Sequence, residues 1–289
     1  MNYFIDRANE AFGYTDMATE RRKADIELDG VEYKKYNSDG GVWEDIHIHS
    51  EPGERSIGKP KGSYYTLSTE RLDLLSVAEG FDTQEEIARR LCEMCDKNGI
   101  FPARILVVGL GNANLTPDTV GVKSALKVHP TLHIYKQEPD VFEELECSEI
   151  AVCTPSVLSR TGIDSAEIVK SISRRISPDL IICIDSLMTS SPKRLGCSVQ
   201  ISTTGIVPGG GIGNKMGAID YENLGVPVFS IGVPTVINSR VFCNTDTGVN
   251  SKNATFGMLV APREIDEICE RAAEIIGSAI NQAFGIDTM

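Results

Sequence analysis

The chain has 289 residues, with 41 aspartates and glutamates against 28 lysines and arginines, so its formal net charge is −13. Apolar residues make up 41% and charged residues 24% of the sequence, a composition that excludes a disordered or collagen-like chain. The acidic balance argues against direct binding to nucleic acid, because negative protein charge repels the phosphate backbone. The sequence contains no run of 18 apolar residues, and we therefore predict no membrane span.

The N-terminus also bears on localisation. Residues 1–13 are polar and contain Asp6, Arg7 and Glu10 instead of the apolar stretch of a signal peptide. We therefore expect a cytoplasmic protein. In that compartment the eight cysteines are expected to be reduced thiols.

The first predicted elements are strands. Residues 25–36 and 42–49 alternate apolar and polar side chains, with the turn dipeptide Asp29-Gly30 between two alternating runs. This pattern predicts a β-hairpin. Glycines and a proline then indicate a loop over residues 53–62, followed by a short third strand.

From residue 83 onward, the pattern changes to strands that alternate with helices. Thr83 and Glu86 form a capping-box pattern, which predicts a helix that ends at Gly99. Further amphipathic helices are expected from about Asp118, over 164–176 and over 262–284. Continuous apolar runs, typical of buried strands, lie at 104–110, 149–153, 180–184, 198–203 and 226–231.

Together these elements predict one α/β domain. Strand–helix–strand units favour a mixed, mainly parallel sheet flanked by helices, and the hairpin adds an N-terminal β-rich portion. Residues 244–256 are rich in Asn, Thr and Gly and are expected to form an exposed loop.

Two aspartates follow predicted strands at the sheet edge where ligands bind in such folds. Asp118 comes after the turn Gly109-Leu-Gly-Asn, and Asp185 directly follows the apolar run 180–184. An aspartate at a helix start also serves as a cap, whereas a buried carboxylate costs several kcal/mol unless it is paired or used. Two close carboxylates cannot both ionise, so a pair can activate water and polarise a carbonyl group.

Two glycine-rich passages have alternative explanations. The G-x-G turn does not complete a dinucleotide fingerprint, because the third glycine position is Asn114 and no acidic residue ends a second strand. Residues 208–215 contain Gly210, Gly211 and Lys215. They are either a substrate cradle with a positive charge or a flexible connection.

The histidines and cysteines are weaker candidates for a functional site. His47 and His49 share one face of a predicted strand, but no third metal ligand is evident nearby. Cys92 and Cys95 lie in a helical pattern, which favours packing over zinc binding or redox chemistry. A nucleophile elbow of the G-x-S-x-G type is absent from the sequence.

Several long passages occur in one order: LVVGLGNANLTPDTVG, SRTGIDSAEIV, PDLIICIDSL, VQISTTGIVPGGGIGNK and LGVPVFSIGVPTV. They closely resemble the spore germination endopeptidases of spore-forming bacteria, from about residue 57 to the C-terminus and most densely over 104–236. The resemblance implies a homotetrameric endopeptidase in the spore interior that begins the degradation of small acid-soluble spore proteins. It also implies a fold similar to that of hydrogenase-maturation endopeptidases, which use a metal. Because no matching histidine ligand is found, we expect no metal or other cofactor.

The resemblance implies two catalytic residues, and the sequence itself offers candidates for substrate binding. The two aspartates implicated in the family match Asp118 in TPD and Asp185 in CID. An acidic substrate residue needs a cationic partner, for which Lys123 and Lys215 are candidates. The positions expected to receive the substrate backbone are Gly109, Gly111, Asn112, Gly210 and Gly211.

The resemblance gives the N-terminus a role. The family is made as a zymogen that removes its own N-terminal segment, and it cleaves after an acidic residue in a Thr-Glu-apolar-Ala type of sequence. Thr15-Asp16-Met17-Ala18 fits this sequence and predicts cleavage between Asp16 and Met17. Residues 1–16 would then be a propeptide and 17–289 a single endopeptidase domain. A chance tetrapeptide in a flexible segment is the alternative.

The sequence also departs from the family pattern. The chain is shorter than typical members, chiefly between residues 234–236 and the closing helix, and its N-terminal third matches loosely. These departures concern fine specificity and assembly and do not touch the two aspartate passages. Two other functions also stay open, namely a metal-dependent maturation-type endopeptidase and a non-catalytic peptide-binding relative.

Overall fold

The computed structural model describes residues 28–209, 217–239 and 258–286. Within these ranges one mixed sheet has the strand order β1-β2-β3-β7-β8-β6-β4-β5, and β9 pairs with β8. The strands are β1 (Val31–Ser38), β2 (Gly41–Ile48), β3 (Gly62–Ser68), β4 (Arg104–Gly109), β5 (Glu149–Cys153), β6 (Leu180–Thr189), β7 (Ser198–Ser202), β8 (Val228–Asn238) and β9 (Leu259–Val260).

Helices of very different lengths connect these strands. They are α1 (Glu51–Ile57), α2 (Val77–Lys97), α3 (Val120–Lys127), α4 (Leu132–Gln137), α5 (Pro139–Leu145), α6 (Leu158–Thr161), α7 (Ser165–Ile176), α8 (Tyr221–Leu224) and α9 (Ile265–Ala283). A short 3-10 turn, Thr116–Asp118, precedes α3. None of the described helices is both long enough and apolar enough to cross a membrane.

The sheet has two halves with different pairing. Strands β8, β6, β4 and β5 pair in parallel, whereas β1, β2, β3 and β7 pair antiparallel, and β7 joins β8 antiparallel. The predictions of a mixed α/β sheet flanked by helices and of an N-terminal β-rich portion are confirmed. The parallel half places the two aspartate passages at one edge of the sheet.

Helices cover both faces of the sheet. On one face, apolar side chains of α2, α3 and α9 pack in a single cluster with β4, β6 and β8. On the opposite face, α7 covers the parallel strands through residues such as Val169, and α1 packs on the hairpin through Ile57. Complete burial of one such side chain stabilises the fold by about 1.5–3 kcal/mol. Because helices pack on both faces, the end of the parallel sheet that carries the two aspartates is fixed from both sides.

The hairpin is present, but its predicted turn is wrong. Ser38 pairs with Gly41, so the two-residue loop is Asp39-Gly40, whereas Asp29-Gly30 precedes β1. Gly30 has a φ of +77° and lies against Ser50. Because Asp-Gly occurs at both places, the dipeptide alone does not distinguish them.

The loop predicted over residues 53–62 is also wrong in its first half, because α1 extends to Ile57. Ser50 caps the first turn of this helix by accepting a hydrogen bond from the Gly53 N–H at 3.2 Å. Gly58 ends it in the left-handed conformation.

The capping box of α2 was predicted at the wrong position. Ser76 and Glu79 form it, so the helix begins at Val77, before the expected Thr83. Thr83 is buried inside the helix and its hydroxyl donates to the Glu79 carbonyl oxygen at 2.7 Å. Both pairs have the same spacing, and a threonine that bonds back to its own helix resembles a cap in sequence.

Strands β6 and β8 both extend beyond their apolar runs. β6 continues to Thr189, so Asp185 lies within the strand and not after its end. The strand bounds predicted for β4, β5 and β7, the N-cap of α7 at Asp164 and the closing helix α9 agree closely with the structure. The loop expected over 244–256 lies outside the described residues.

Candidate active site

The site is built on the turn that follows β4. Gly109 packs against α3 so closely that a Cβ atom there would clash with the Gly121 carbonyl oxygen. Gly111 has a φ of +107°, and a Cβ atom on it would clash with the backbone of Asp118. The two glycines therefore allow the chain to leave the sheet and fold back until Asp118 lies beside the end of β4.

Backbone hydrogen bonds hold Asp118 in place. The N–H of Asn112 donates to the Asp118 carboxylate oxygen Oδ2 at 2.9 Å and to its backbone carbonyl oxygen at 3.1 Å. The Asn112 side chain in turn accepts from the Asn114 N–H at 3.0 Å. From outside the turn, the Thr235 hydroxyl donates to the Pro117 carbonyl oxygen at 2.6 Å.

Asp185 comes from β6, directly beyond the last residue that pairs with β4. That last pair joins Gly109 and Ile184. Asp185 is only 8% exposed, and its Oδ1 accepts from the Ser186 N–H at 2.8 Å. The open end of β4 therefore places Asp118 and Asp185 close enough to interact electrostatically.

Burial raises the pKa values of both carboxyls, and the charge of Asp118 adds to the rise at Asp185. Burial raises the pKa of Asp118 to about 6, against the opposing effect of the Asn112 hydrogen bond. Burial and then the Asp118 charge raise the pKa of Asp185 to about 8, and the Ser186 N–H opposes this rise. Between these values Asp118 is ionised and Asp185 protonated, so the pair offers a base and an acid side by side.

The donor set at this pair does not fit a metal centre. In the described residues, no three side chains of His, Cys, Asp or Glu type converge closely enough to hold a metal ion. The pair itself provides two carboxylates, whereas catalytic zinc sites use three protein ligands.

The predicted substrate-binding and processing residues fall into three groups. Gly109, Gly111 and Asn112 lie at the pair, where they position Asp118 as described above, and their contact with substrate stays a prediction. Lys123 projects from α3 and is ion-paired with Glu270 of α9 at 3.1 Å. Outside the described residues lie Gly210, Gly211, Lys215, Asp16 and Met17.

The weaker sequence signals do not form a site in the described ranges. His47 Nδ1 shares a hydrogen bond with the Ser63 hydroxyl at 2.7 Å. Cys95 is buried on the apolar side of α2, which confirms the packing interpretation for that residue, whereas Cys92 is exposed. The seven described cysteines are all free thiols.

Sequence reasoning missed three residues at this edge. Ser186 accepts a hydrogen bond from the Val120 N–H at 3.3 Å, and Thr235 holds the 116–118 turn. Arg160 of α6 donates to the Asn114 side chain when the amide oxygen faces it. Arg160 lies in the passage SRTG, and this passage was the only sequence signal for it.

The comparison with family models identifies the chain. A model described as germination protease matches residues 9–249. The chain belongs to the germination protease family. It is accordingly a peptidase, and this membership confirms the resemblance found in the sequence.

Curated relatives agree along nearly the whole chain. The germination protease of Clostridium perfringens is 32% identical over 308 aligned residues, which cover 93% of this chain and 94% of the relative. That of Clostridium acetobutylicum is 33% identical with the same shares, and that of Priestia megaterium is 35% identical over 76% of this chain and 59% of its own length.

The comparison with solved structures finds a [NiFe] hydrogenase maturation protease, HycI from Thermococcus kodakarensis KOD1. It is 19% identical with a TM-score of 0.33, and the match covers 64% of this chain and 99% of that chain.

Proposed function

We propose that this protein is an endopeptidase that begins the degradation of small acid-soluble spore proteins during germination, with Asp118 and Asp185 as its catalytic residues. Family membership and the names of the relatives support the role in germination. The observation that carries the assignment of the catalytic residues is the buried carboxyl pair, whose pKa values are separated to about 6 and about 8.

The mechanism follows from this separation. Ionised Asp118 takes a proton from a water molecule, whose oxygen attacks the scissile carbonyl carbon. Protonated Asp185 donates to the carbonyl oxygen as its negative charge develops. Collapse of the tetrahedral intermediate breaks the C–N bond, the proton on Asp118 passes to the leaving amine, and Asp185 recovers its proton from the intermediate's hydroxyl. The pair thus returns to its starting state.

The proposal includes zymogen control. Residues 1–16 would block or distort the site until the bond between Asp16 and Met17 is cleaved, which leaves 17–289 as the mature domain. We further propose that the protein works as a homotetramer in the spore interior.

An acidic substrate residue requires a cation at the site. Lys123 is already engaged by Glu270, so using it would cost that ion pair. Arg160 has no carboxylate partner within ion-pair distance in the described ranges, and it contacts the turn through Asn114. We therefore assign Arg160 the acid-binding role in preference to Lys123, with Lys215 as a further candidate.

Intact-mass spectrometry of the purified protein over time tests the proposal, with the Asp118→Asn variant alongside. We expect the wild type, and not the variant, to lose residues 1–16, with the same time course when a chelator is present. Purified acid-soluble spore protein, added in a parallel reaction, should be cleaved by the processed wild type only. A folded, processed wild type that leaves this substrate intact would contradict the proposal.

A further inference from the structure

Strand β6 is longer than the strand beside it. Its pairing with β4 ends at Ile184, opposite Gly109, whereas β6 continues to Thr189 and remains paired with β8 along that length. Within the described ranges, β6 therefore has no strand neighbour on the β4 side after Ile184. This edge segment, residues 185–189, begins at a catalytic aspartate.

The hydrogen-bond ladder shows which backbone group is left unmatched. The last bond on the β4 side runs from the Leu110 N–H to the Ile184 carbonyl oxygen at 2.8 Å. In a parallel ladder the backbone groups of alternate residues point to the same neighbour, so the next acceptor on this side is the carbonyl oxygen of Ser186. If β4 continued straight, the Asn112 N–H would donate to it, but that N–H donates to Asp118 instead.

The other backbone group of Ser186 is already used. Its N–H donates to the Asp185 carboxylate, so this carboxylate bends toward the open side of β6. The Asp118 carboxylate accepts a hydrogen bond from the Asn112 N–H. It lies at the end of β4 and borders the same open side of β6. The Ser186 carbonyl oxygen therefore faces a position that both carboxyls flank.

We propose that the polypeptide substrate binds here as an added strand, in line with β4. One of its backbone N–H groups donates to the Ser186 carbonyl oxygen. This hydrogen bond is the one that the Asn112 N–H would make if β4 continued straight. Strand addition lets main-chain bonds supply affinity, and it places the neighbouring peptide bond between Asp118 and Asp185. The inference rests on the proposed function and defines the substrate class as extended, unfolded segments.

A peptide with the sequence of residues 9–22 of this chain provides the probe. In a series of analogues, an ester replaces one amide at a time, which removes one N–H with little change in shape. Binding is measured by fluorescence anisotropy on the Asp118→Asn variant after processed wild type has removed its residues 1–16 and has been separated from it, so that the propeptide does not compete with the peptide. We expect one ester to weaken binding about 3- to 10-fold, the usual effect of a lost hydrogen bond, while the esters on either side of it have no effect.

A second readout locates the bond on the protein. Ser186-Leu187 is the only Ser-Leu pair in the sequence, so carbonyl-¹³C serine with ¹⁵N leucine gives one NMR signal for the Ser186 carbonyl. The unmodified peptide should shift this signal, and the sensitive ester should not. Uniform ester effects, no binding of the unmodified peptide, or an unmoved Ser186 signal would each overturn the inference. Failure of the wild type to cleave the same peptide would instead count against the proposed function.

Discussion

Both halves of the sheet bury an aspartate, but in opposite electrostatic settings. In the antiparallel half, Asp45 on β2 forms an ion pair with Arg90 of α2 at 3.1 Å, and the guanidinium lies 4.4 Å from the ring centroid of Trp43. In the parallel half, Asp185 has another carboxyl, Asp118, as its charged neighbour. Burial raises the pKa of both Asp45 and Asp185, but Arg90 opposes the rise at Asp45, whereas Asp118 adds to it at Asp185.

We propose that this difference separates a structural carboxylate from a reactive one. A buried carboxyl with an opposite charge beside it can form an ion pair that links two elements of the fold. A buried carboxyl with a like-charged partner holds a proton near neutral pH and can release it during a reaction. Burial alone does not distinguish the two sites, because Asp45 is 6% and Asp185 8% exposed.

The largest expected effect comes from replacing the carboxyl group of either member of the pair with an amide, which can act neither as the base nor as the acid. Asp118→Asn and Asp185→Asn should each lower kcat/KM for peptide cleavage by about 10²–10⁴-fold, the usual contribution of a general acid or base. Circular dichroism should show an unchanged fold. Asp45→Asn is the matched control for a buried aspartate. A similar catalytic loss in that variant, with its fold intact, would contradict the assignment of catalysis to the parallel half alone.

The antiparallel half should respond in stability instead. Arg90→Met leaves Asp45 buried without its cation, so we expect the free energy of unfolding to fall by about 3–5 kcal/mol, as measured in urea. Arg89→Ala is the control, because its side chain is 47% exposed in its pairs with Glu86 and Glu93. Exposed pairs are worth about 0–1 kcal/mol. Equal losses in the two variants would show that Arg90 does not stabilise through a buried pair.

Stability should depend on pH through Asp185. Its pKa is raised in the folded state, so the folded protein binds the proton more tightly and stability decreases as pH rises from about 4 to about 8. Asp185→Asn removes this contribution. The stability of the variant relative to wild type should therefore increase by about 2–4 kcal/mol between pH 5 and pH 8. A constant difference across that range would mean that the folded pKa is not raised.

Smaller effects are expected from the two cations. Arg160→Ala should raise KM about 3- to 10-fold for a peptide that contains Asp at the cleaved bond, and much less for the same peptide with Asn there. Lys123→Ala should change KM by less than about 2-fold, because its ion pair with Glu270 is a surface interaction. The reverse order would assign the acid-binding role to Lys123.

The sequence predicted the class of the sheet and the placement of the two aspartates at one end of its parallel strands, because both depend on patterns of neighbouring residues. Apolar runs mark buried strands, and Asp118 and Asp185 follow two of them. Positions with two equivalent signals were beyond sequence reasoning, as at the hairpin turn and at the cap of α2. The roles of Asn112 and Arg160 could not be predicted either, because they depend on how far the chain folds back after Gly111.

The central claim is that Asp118 and Asp185 share one proton near neutral pH. Carboxyl-¹³C NMR of aspartate-labelled protein tests it directly, with Asp185 assigned by its absence from the Asp185→Asn spectrum. We predict that Asp185 titrates with an apparent pKa of about 8, and at a lower pH in Asp118→Asn, where the repelling charge is gone. An Asp185 signal that titrates in the ordinary range of aspartate and does not move in that variant would contradict the account.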